Sequence, residues 1–320
     1  MITSTDPGMR KQLPKSFRIS PEITGALKKG LPVVALESTV ITHGLPFPEN
    51  LTLAMDMEGE VRAQNAVPAT IALLQGKICV GLQSEELDAL AQEKECRKIS
   101  VRDVGPAVAQ QATGGTTVAG TLVAAQTAGI RVFATGGIGG VHRGAPFDVS
   151  TDLQQLASSP LVVVCAGAKA ILDLPATLEV LETLAVPVIG YQTNDFPAFY
   201  SRKSGLQAPF RADSPQEIAE IAAQHWGLGL KSALLVVNPV PEEYAVPSGD
   251  LEKVIDQALQ EMEAQGIRGQ GVSPFLLARV SQLSHGSSLK ANLALLKNNA
   301  RLAGQIASAL ANSNSQIKYI

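Results

Sequence analysis

The chain has 320 residues, a formal net charge of −3, 45% apolar and 17% charged residues, and only 4% aromatics. This balance excludes a disordered or fibrous chain; without a basic tract or interleaved aromatic platform it also excludes broad nucleic-acid or acidic-membrane binding, so any bound phosphate belongs to a small molecule. Cys79, Cys96 and Cys165 are widely spaced with no CxxC pair, which implies neither a disulfide framework nor a cysteine zinc site and points to a reducing cytoplasm.

Residues 1–15 are polar and carry no apolar signal core, so they read as an extension before a single catalytic domain over 16–320. No stretch reaches about 18 uninterrupted apolar residues, and no membrane span is expected. Residues 31–36 read as the first buried strand, with Glu37, Ser38 and Thr39 at its carboxyl end, where the active sites of open α/β sheets gather. Asn50 is the expected cap of a helix through Leu51, Ala54, Met55 and Val61. Two strands, 70–74 and 78–81, should flank a Gln75-Gly76-Lys77 turn. Then come a helix over 117–128, a short strand over 132–134, a central strand over 161–165 and a further strand over 186–191, weakened by Pro187. Helices over 214–226 and 251–265 bracket a strand over 233–237, and the tail is helical over 274–283 and 289–311. Strands alternating with helices predict an α/β protein with three α/β/α layers around a mixed, largely parallel central sheet.

Lys169 follows the apolar run 161–165 and stands among Ala166, Gly167, Ala168 and Ala170. It is expected where that strand ends and the next helix begins. Partial burial there penalises the ammonium, and a neutral amine is what attacks a carbonyl carbon; a stem packed on the sheet with its head in water is the alternative. The glycine-rich run 134–144 follows a strand and lets backbone approach an anion, with Thr135, His142 and Arg143 as added donors. It does not match G-x-G-x-x-G, because the third glycine position counted from Gly137 falls on His142. A sugar-phosphate loop and a structural turn both remain open.

Asp148 and Asp152 are spaced i, i+4, which on a helix start would set both acids on one side, suited to a hard cation with one protein ligand and many waters. Capping by Asp148, Ser150 or Thr151 is the alternative. His43, His142, His225 and His285 form no HExxH motif or metal-ligand cluster. Glu37 has the polar neighbours Ser38, Thr39, Thr42 and His43, and Lys98 is either a surface charge or a phosphate contact. Asn292, Asn298 and Asn299 interrupt the last helix with a mediocre helix former; an inward-facing one can bond a base edge.

Five segments, ALESTVITHGLP at 35–46, GGIGGVHRG at 136–144, VCAGAK at 164–169, YQTNDFPAFY at 191–200 and LKNNA at 296–300, together resemble the pseudouridine-5′-phosphate glycosidases, also called the indigoidine synthase A-like family. The resemblance covers nearly all of the chain after Lys15. It implies a homotrimeric, manganese-using enzyme that reversibly splits pseudouridine 5′-phosphate into uracil and ribose 5-phosphate. By the same resemblance Lys169 is the nucleophile that opens the ribose and forms an iminium at C1′, and Glu37 is the general acid toward the uracil carbon. Asp148 matches a metal ligand completed by water, Ser150 and Asp152 match substrate contacts, and Lys98 and the backbone near Val118 match phosphate-side contacts. Asn292 matches a uracil-facing residue, while Thr135 and His142 lie in the substrate loop. Two departures stand out: segment 144–148 is about two residues shorter than the family's spacing and contains Pro146, and SHGSS at 284–288 replaces a Thr-Gly-Gly type of loop. A Schiff-base aldolase on another sugar phosphate stays open until uracil release is tested. A noncatalytic sugar-phosphate-binding accessory protein, which would tolerate Lys169→Ala, also stays open.

Overall fold

The computed structural model describes residues 13–267 and 271–316; the first twelve residues of the expected extension lie outside them. Among the described residues eleven strands form one sheet. Its main path runs Phe17–Ile19, Lys77–Val80, Val67–Leu74, Val33–Leu36, Val132–Ala134, Val162–Cys165, Leu234–Val237, Val188–Tyr191 and Phe210–Ala212, with Gly114–Thr116 and Arg97–Ile99 branching from Val67–Leu74. Val67–Leu74 pairs antiparallel with Lys77–Val80 and with Gly114–Thr116; the other pairings in this sheet are parallel. The fold is the expected three-layer α/β/α arrangement with a mixed, mostly parallel sheet.

Strands without a polar face must be covered on both sides, and Val33–Leu36, Val162–Cys165 and Leu234–Val237 are buried throughout. Helix Ser287–Gln316 lies across Val33–Leu36, Val132–Ala134 and Val162–Cys165, with helices Glu49–Arg62 and Pro215–Gly227 against it. Gly304 permits that close approach: a Cβ there would stand 2.8 Å from Gln64 Cβ. Helices Pro21–Lys28 and Val118–Ala128 pack on Val33–Leu36 and Val67–Leu74.

The turn joining Val67–Leu74 to Lys77–Val80 has Gln75 at φ 47° and Gly76 at φ 73°, the two left-handed central residues of a tight hairpin, as its sequence predicts. The helix expected over 117–128 spans Val118–Ala128, with Thr117 as its cap accepting from Gly120 N at 3.3 Å. The strand expected from residue 186 begins at Val188, because Pro187 has no N–H for the ladder. Asn50 is not a cap. It lies inside helix Glu49–Arg62, buried, and its amide donates to Ile41 O at 2.8 Å and Ala91 O at 2.9 Å. Lys169 is not at a helix start either: the next helix is Leu174–Thr183, capped by Asp173, and Lys169 lies in the irregular connection before the short strand Leu172–Asp173. No described helix is long and apolar enough to cross a membrane.

Candidate active site

The register of three neighbouring parallel strands sets the floor of the site. Leu36 pairs with Ala134, and Ala134 with Val164, so the carboxyl ends of these strands are level. The next residue on two of them is then Glu37 beside Thr135, and the Thr135 hydroxyl donates to Glu37 Oε1. Thr135 is itself held from both sides: its N–H donates to Val164 O at 3.0 Å and its carbonyl accepts from Asn299 Nδ2 at 2.9 Å. Asn299 Oδ1 accepts from Asn238 Nδ2 at 3.0 Å, and Asn238 N donates to Cys165 O at 2.8 Å. Glu37, Thr135, Asn238 and Asn299 are all buried, so the chain of hydrogen bonds is shielded from water.

Beyond the sheet, the glycine-rich loop and the connection bearing Lys169 continue side by side as an irregular ladder. Ala166 N donates to Gly136 O at 2.9 Å, Ile138 N to Gly167 O at 3.1 Å and Lys169 N to Ile138 O at 3.1 Å. The glycines are needed for packing here: a Cβ on Gly139 would meet Ser150 Oγ and Asp152 Oδ2, and one on Gly137 would lie 2.6 Å from the Phe199 ring. Phe199 holds φ 59°, a strained value for an aromatic residue, and its N–H donates to Ala166 O at 3.1 Å. This segment props the base of the Lys169 connection.

A cavity of about 640 Å³ opens above these strand ends. Glu37, Lys98, Val118, His142, Asp148, Ser150, Asp152, Lys169 and Asn292 line it; Thr135 does not, and lies fully buried behind Glu37. Burial pushes the Glu37 carboxyl above the ordinary carboxylate range, against the opposing pull of the Lys169 charge and the Thr135 hydroxyl. Lys98, in the middle of strand Arg97–Ile99, is held below its ordinary value, first by burial and then by the positive charge of Lys169. His43 is also lowered by burial and by Lys98, which favours the neutral imidazole. Val118 opens its helix; among the described residues its N–H has no partner, whereas the Ala119 N–H donates to Asp152 Oδ1 at 2.9 Å.

The two acids of the expected i, i+4 pair do not share a helix. Asp148 lies in strand Ala145–Val149, exposed on the cavity rim, while the helix begins at Thr151 with Ser150 as its cap. Asp152 is buried, and its two oxygens accept from the amides of Ala119 and, at 2.8 Å, Gly139. The break comes from Ser150, whose hydroxyl accepts from Asp152 N at 3.2 Å and starts the helix at Thr151, beyond Asp148. Among the described residues no group of three or more His, Cys, Asp or Glu is arranged to hold a metal. The donor set is one accessible carboxylate, which fits a hard cation kept mostly by water and not a protein-caged one.

Arg143, expected as an anion donor, does not line the cavity; it pairs with Glu252 instead. Several lining residues have no role assigned to them by the sequence. Thr39 places a buried hydroxyl there with no partner among the described residues. Tyr200 is buried against Phe199, ring centroids 4.6 Å apart. Helix Val272–Leu283 brings Leu277, Ala278, Ser281 and Gln282 over the opening. Asn292 and Leu296 reach the cavity from helix Ser287–Gln316, whereas Asn298 turns to Pro239 O at 3.4 Å.

Residues 22–309 match the family described as Indigoidine synthase A like protein. The chain belongs to the indigoidine synthase A-like family. Among members, a pseudouridine-5′-phosphate glycosidase of Solibacter usitatus (strain Ellin6076) is 55% identical over 92% of this chain and 99% of its own length. The enzyme of the same name from Paracoccus denitrificans (strain Pd 1222) is 55% identical over 93% of this chain and 100% of its own. The crystal structure of the prealnumycin C-glycosynthase AlnA in complex with ribulose 5-phosphate superimposes with a TM-score of 0.88 at 40% identity, covering 95% of this chain and 99% of that one. Family membership and fold therefore agree along the whole length of the site-bearing segments.

Proposed function

We propose that this chain is a pseudouridine-5′-phosphate glycosidase that reversibly breaks the bond between C1′ of the ribose and C5 of the uracil, giving uracil and ribose 5-phosphate. The observation that carries the reading is the meeting, in one cavity, of Lys169, a second lysine Lys98 and a buried Glu37 whose carboxyl is pushed above its ordinary range by burial. The relatives named above support the substrate, and the C-glycosynthase neighbour with its pentulose phosphate fits chemistry at a carbon-to-carbon glycosidic bond.

A two-carboxylate glycosidase protonates a departing oxygen. The leaving atom here is a ring carbon, and the other buried carboxylate of the site, Asp152, has both oxygens on backbone amides. Lys169 Nζ forms a bond to C1′ as the bond from C1′ to the ring oxygen breaks, and the amine's proton passes to that oxygen. Glu37 then protonates C5 of uracil. The C1′–C5 electron pair stays with the uracil ring while the nitrogen lone pair makes C1′ an iminium. Water adds to the iminium and releases ribose 5-phosphate and the free lysine. Lys98 lines the cavity and Val118 starts a helix there; in this reading the ammonium and the Val118 N–H receive the phosphate. Ser150, His142 and Asn292 line the cavity; in this reading Ser150 and His142 contact the sugar and Asn292 the base.

The manganese ion implied by the resemblance would rest on Asp148 and water, where it supplies positive charge to orient and polarise substrate oxygens. Chelation should then abolish turnover and added Mn²⁺ restore it, with Asp148→Asn raising the Mn²⁺ needed about tenfold or more; chelator-treated wild type at full rate rejects the metal. A cytoplasmic homotrimer belongs to the same proposal and is decided by light scattering and fractionation.

The test is to incubate the protein and Mn²⁺ with pseudouridine 5′-phosphate, follow uracil and ribose 5-phosphate by mass spectrometry, and quench an aliquot with borohydride. Uracil release with a sugar-phosphate adduct on Lys169 is the expected result. An adduct without uracil points to an aldolase on another sugar phosphate, and neither product nor adduct rejects the enzyme reading.

A further inference from the structure

Lys169 sits on a connection with no regular structure, so something must fix its backbone on each side. On the amino side the glycine-rich loop does so through the ladder at Ala166, Gly167 and Lys169 N. On the carboxyl side the carbonyls of Ala170 and Leu172 are both taken by one guanidinium: Arg143 Nη2 donates to Ala170 O at 3.1 Å and Arg143 Nε to Leu172 O at 3.2 Å. The remaining face of the same guanidinium forms a fork with Glu252, Nη1 to Oε2 at 2.8 Å and Nη2 to Oε1 at 3.1 Å, with Asp256 3.8 Å from Nη1.

Glu252 and Asp256 belong to helix Ser248–Ala264, which packs on Val272–Leu283, the helix that covers the cavity. A single half-buried side chain thus joins the segment carrying the lysine to the helix on which the cover packs. The planar, five-donor guanidinium is suited to this: lysine offers a point charge that cannot serve two carbonyls and a carboxylate in fixed directions.

We propose that Arg143 is a positioning residue for Lys169, acting through the Ala170 and Leu172 carbonyls, and that its pairing with Glu252 links the helical cover to the alignment of the nucleophile. The inference rests on the reading of Lys169 as the nucleophile. Its consequence is that Glu252, a half-exposed acid outside the cavity, influences the rate of bond formation at Lys169. A shift of about 1 Å in a reacting group lowers rates by as much as 10²-fold, so the effect should fall on the chemical step and not on sugar binding.

The test compares wild type, Arg143→Lys, Arg143→Gln and Glu252→Gln. Ribose 5-phosphate is added at a series of concentrations, borohydride traps the imine, and peptide mapping follows the rate of Lys169 modification. Both Arg143 variants should trap about 10- to 100-fold more slowly at saturating sugar, with half-saturation within about threefold of wild type and melting temperature within a few degrees. Glu252→Gln should slow trapping about three- to fivefold, and high salt should bring wild type to the same rate without slowing Glu252→Gln further, since an exposed pair is screened.

Wild-type trapping rates in Arg143→Lys and Glu252→Gln overturn the inference, as does a slower rate explained wholly by a raised half-saturation, which would make Arg143 a binding residue. If Arg143→Gln does not fold, the lysine and Glu252 variants decide. Wild type that traps sugar on Lys169 but releases no uracil sinks the substrate assignment and leaves this inference standing; wild type that fails to trap sinks both.

Discussion

On the floor of the cavity Glu37, Thr135 and the Lys169 connection hang from three neighbouring parallel strands, each tied to the next by short-range hydrogen bonds. Above it, helix Val272–Leu283 offers Leu277, Ala278, Ser281 and Gln282, of which Ala278 and Gln282 are exposed and none makes a side-chain hydrogen bond to the floor among the described residues. The floor is over-determined by sheet register, so it can hold a lysine and an acid in an unfavourable, partly desolvated environment. The cover is held by packing on helix Ser248–Ala264, whose Glu252 pairs with Arg143, and is suited to admitting and releasing a base. Chemistry should therefore fail sharply when the floor is altered, and binding should change gradually when the cover is.

The largest effect is expected at Lys169. Lys169→Ala should lower uracil release by about 10³-fold or more and leave no borohydride-stable adduct, and Lys169→Arg should fail equally because a guanidinium stays charged. Normal turnover by either variant, measured by uracil release, removes the covalent mechanism. Glu37→Gln should lower kcat about 10²- to 10⁴-fold while still trapping ribose 5-phosphate on Lys169, which separates proton delivery from imine formation.

Glu37 also makes a signed prediction about pH. Its carboxyl is raised above 4.5 in the folded protein, so the folded state holds the proton more tightly than the unfolded chain does. Stability from this group is present below pH 4.5 and is lost as pH rises through the folded-state value. Glu37→Gln should therefore gain stability relative to wild type across that window, read as the difference in melting temperature against pH. Wild-type cleavage should decline through the same window as the acid loses its proton, a limb that Glu37→Gln lacks.

A smaller loss is expected at Asn299, which touches no substrate. Asn299→Ala leaves Thr135 O and Asn238 Nδ2 without this partner, at about 1–3 kcal/mol for each buried group. Denaturant unfolding should register that loss, and kcat should fall more than KM rises because the Thr135 hydroxyl that orients Glu37 is loosened. On the cover, Leu277→Ala should raise KM about fivefold, the equivalent of about 1 kcal/mol of lost apolar contact, with imine trapping unchanged. Equal damage to kcat at Leu277 would erase the distinction between floor and cover.

Much of this was legible locally. The apolar runs ending at Leu36, Ala134 and Cys165 mark buried parallel strands, and a polar residue after such a run marks the end where sites form, which is how Glu37, Thr135 and Lys169 stand out. The resemblance then assigned roles that no spacing could, and the cavity contains all of those residues except Thr135. The Ser20-Pro21-Glu22 start of helix Pro21–Lys28 was also readable, since serine caps and proline suits the first turn, although the helix was not expected.

Other features depend on partners far away along the chain. Asn50 and Asn299 look like helix-capping or solvent-facing residues until Ile41, Ala91 and Thr135 arrive beside them. Arg143 looks like an anion donor until Glu252, 109 residues later, claims it. Asp148 and Asp152 share a helical spacing, but Ser150 begins the helix between them and two remote amides take Asp152.

By itself the sequence determined the layers, the strand ends and the residue types able to do chemistry, because periodicity and chain-local sterics act over a few residues. Only the tertiary structure decided which of those groups face the cavity, which protons they keep and what holds the lysine in place. Those properties arise from burial and from hydrogen-bond partners that the folded chain, and no local pattern, brings together.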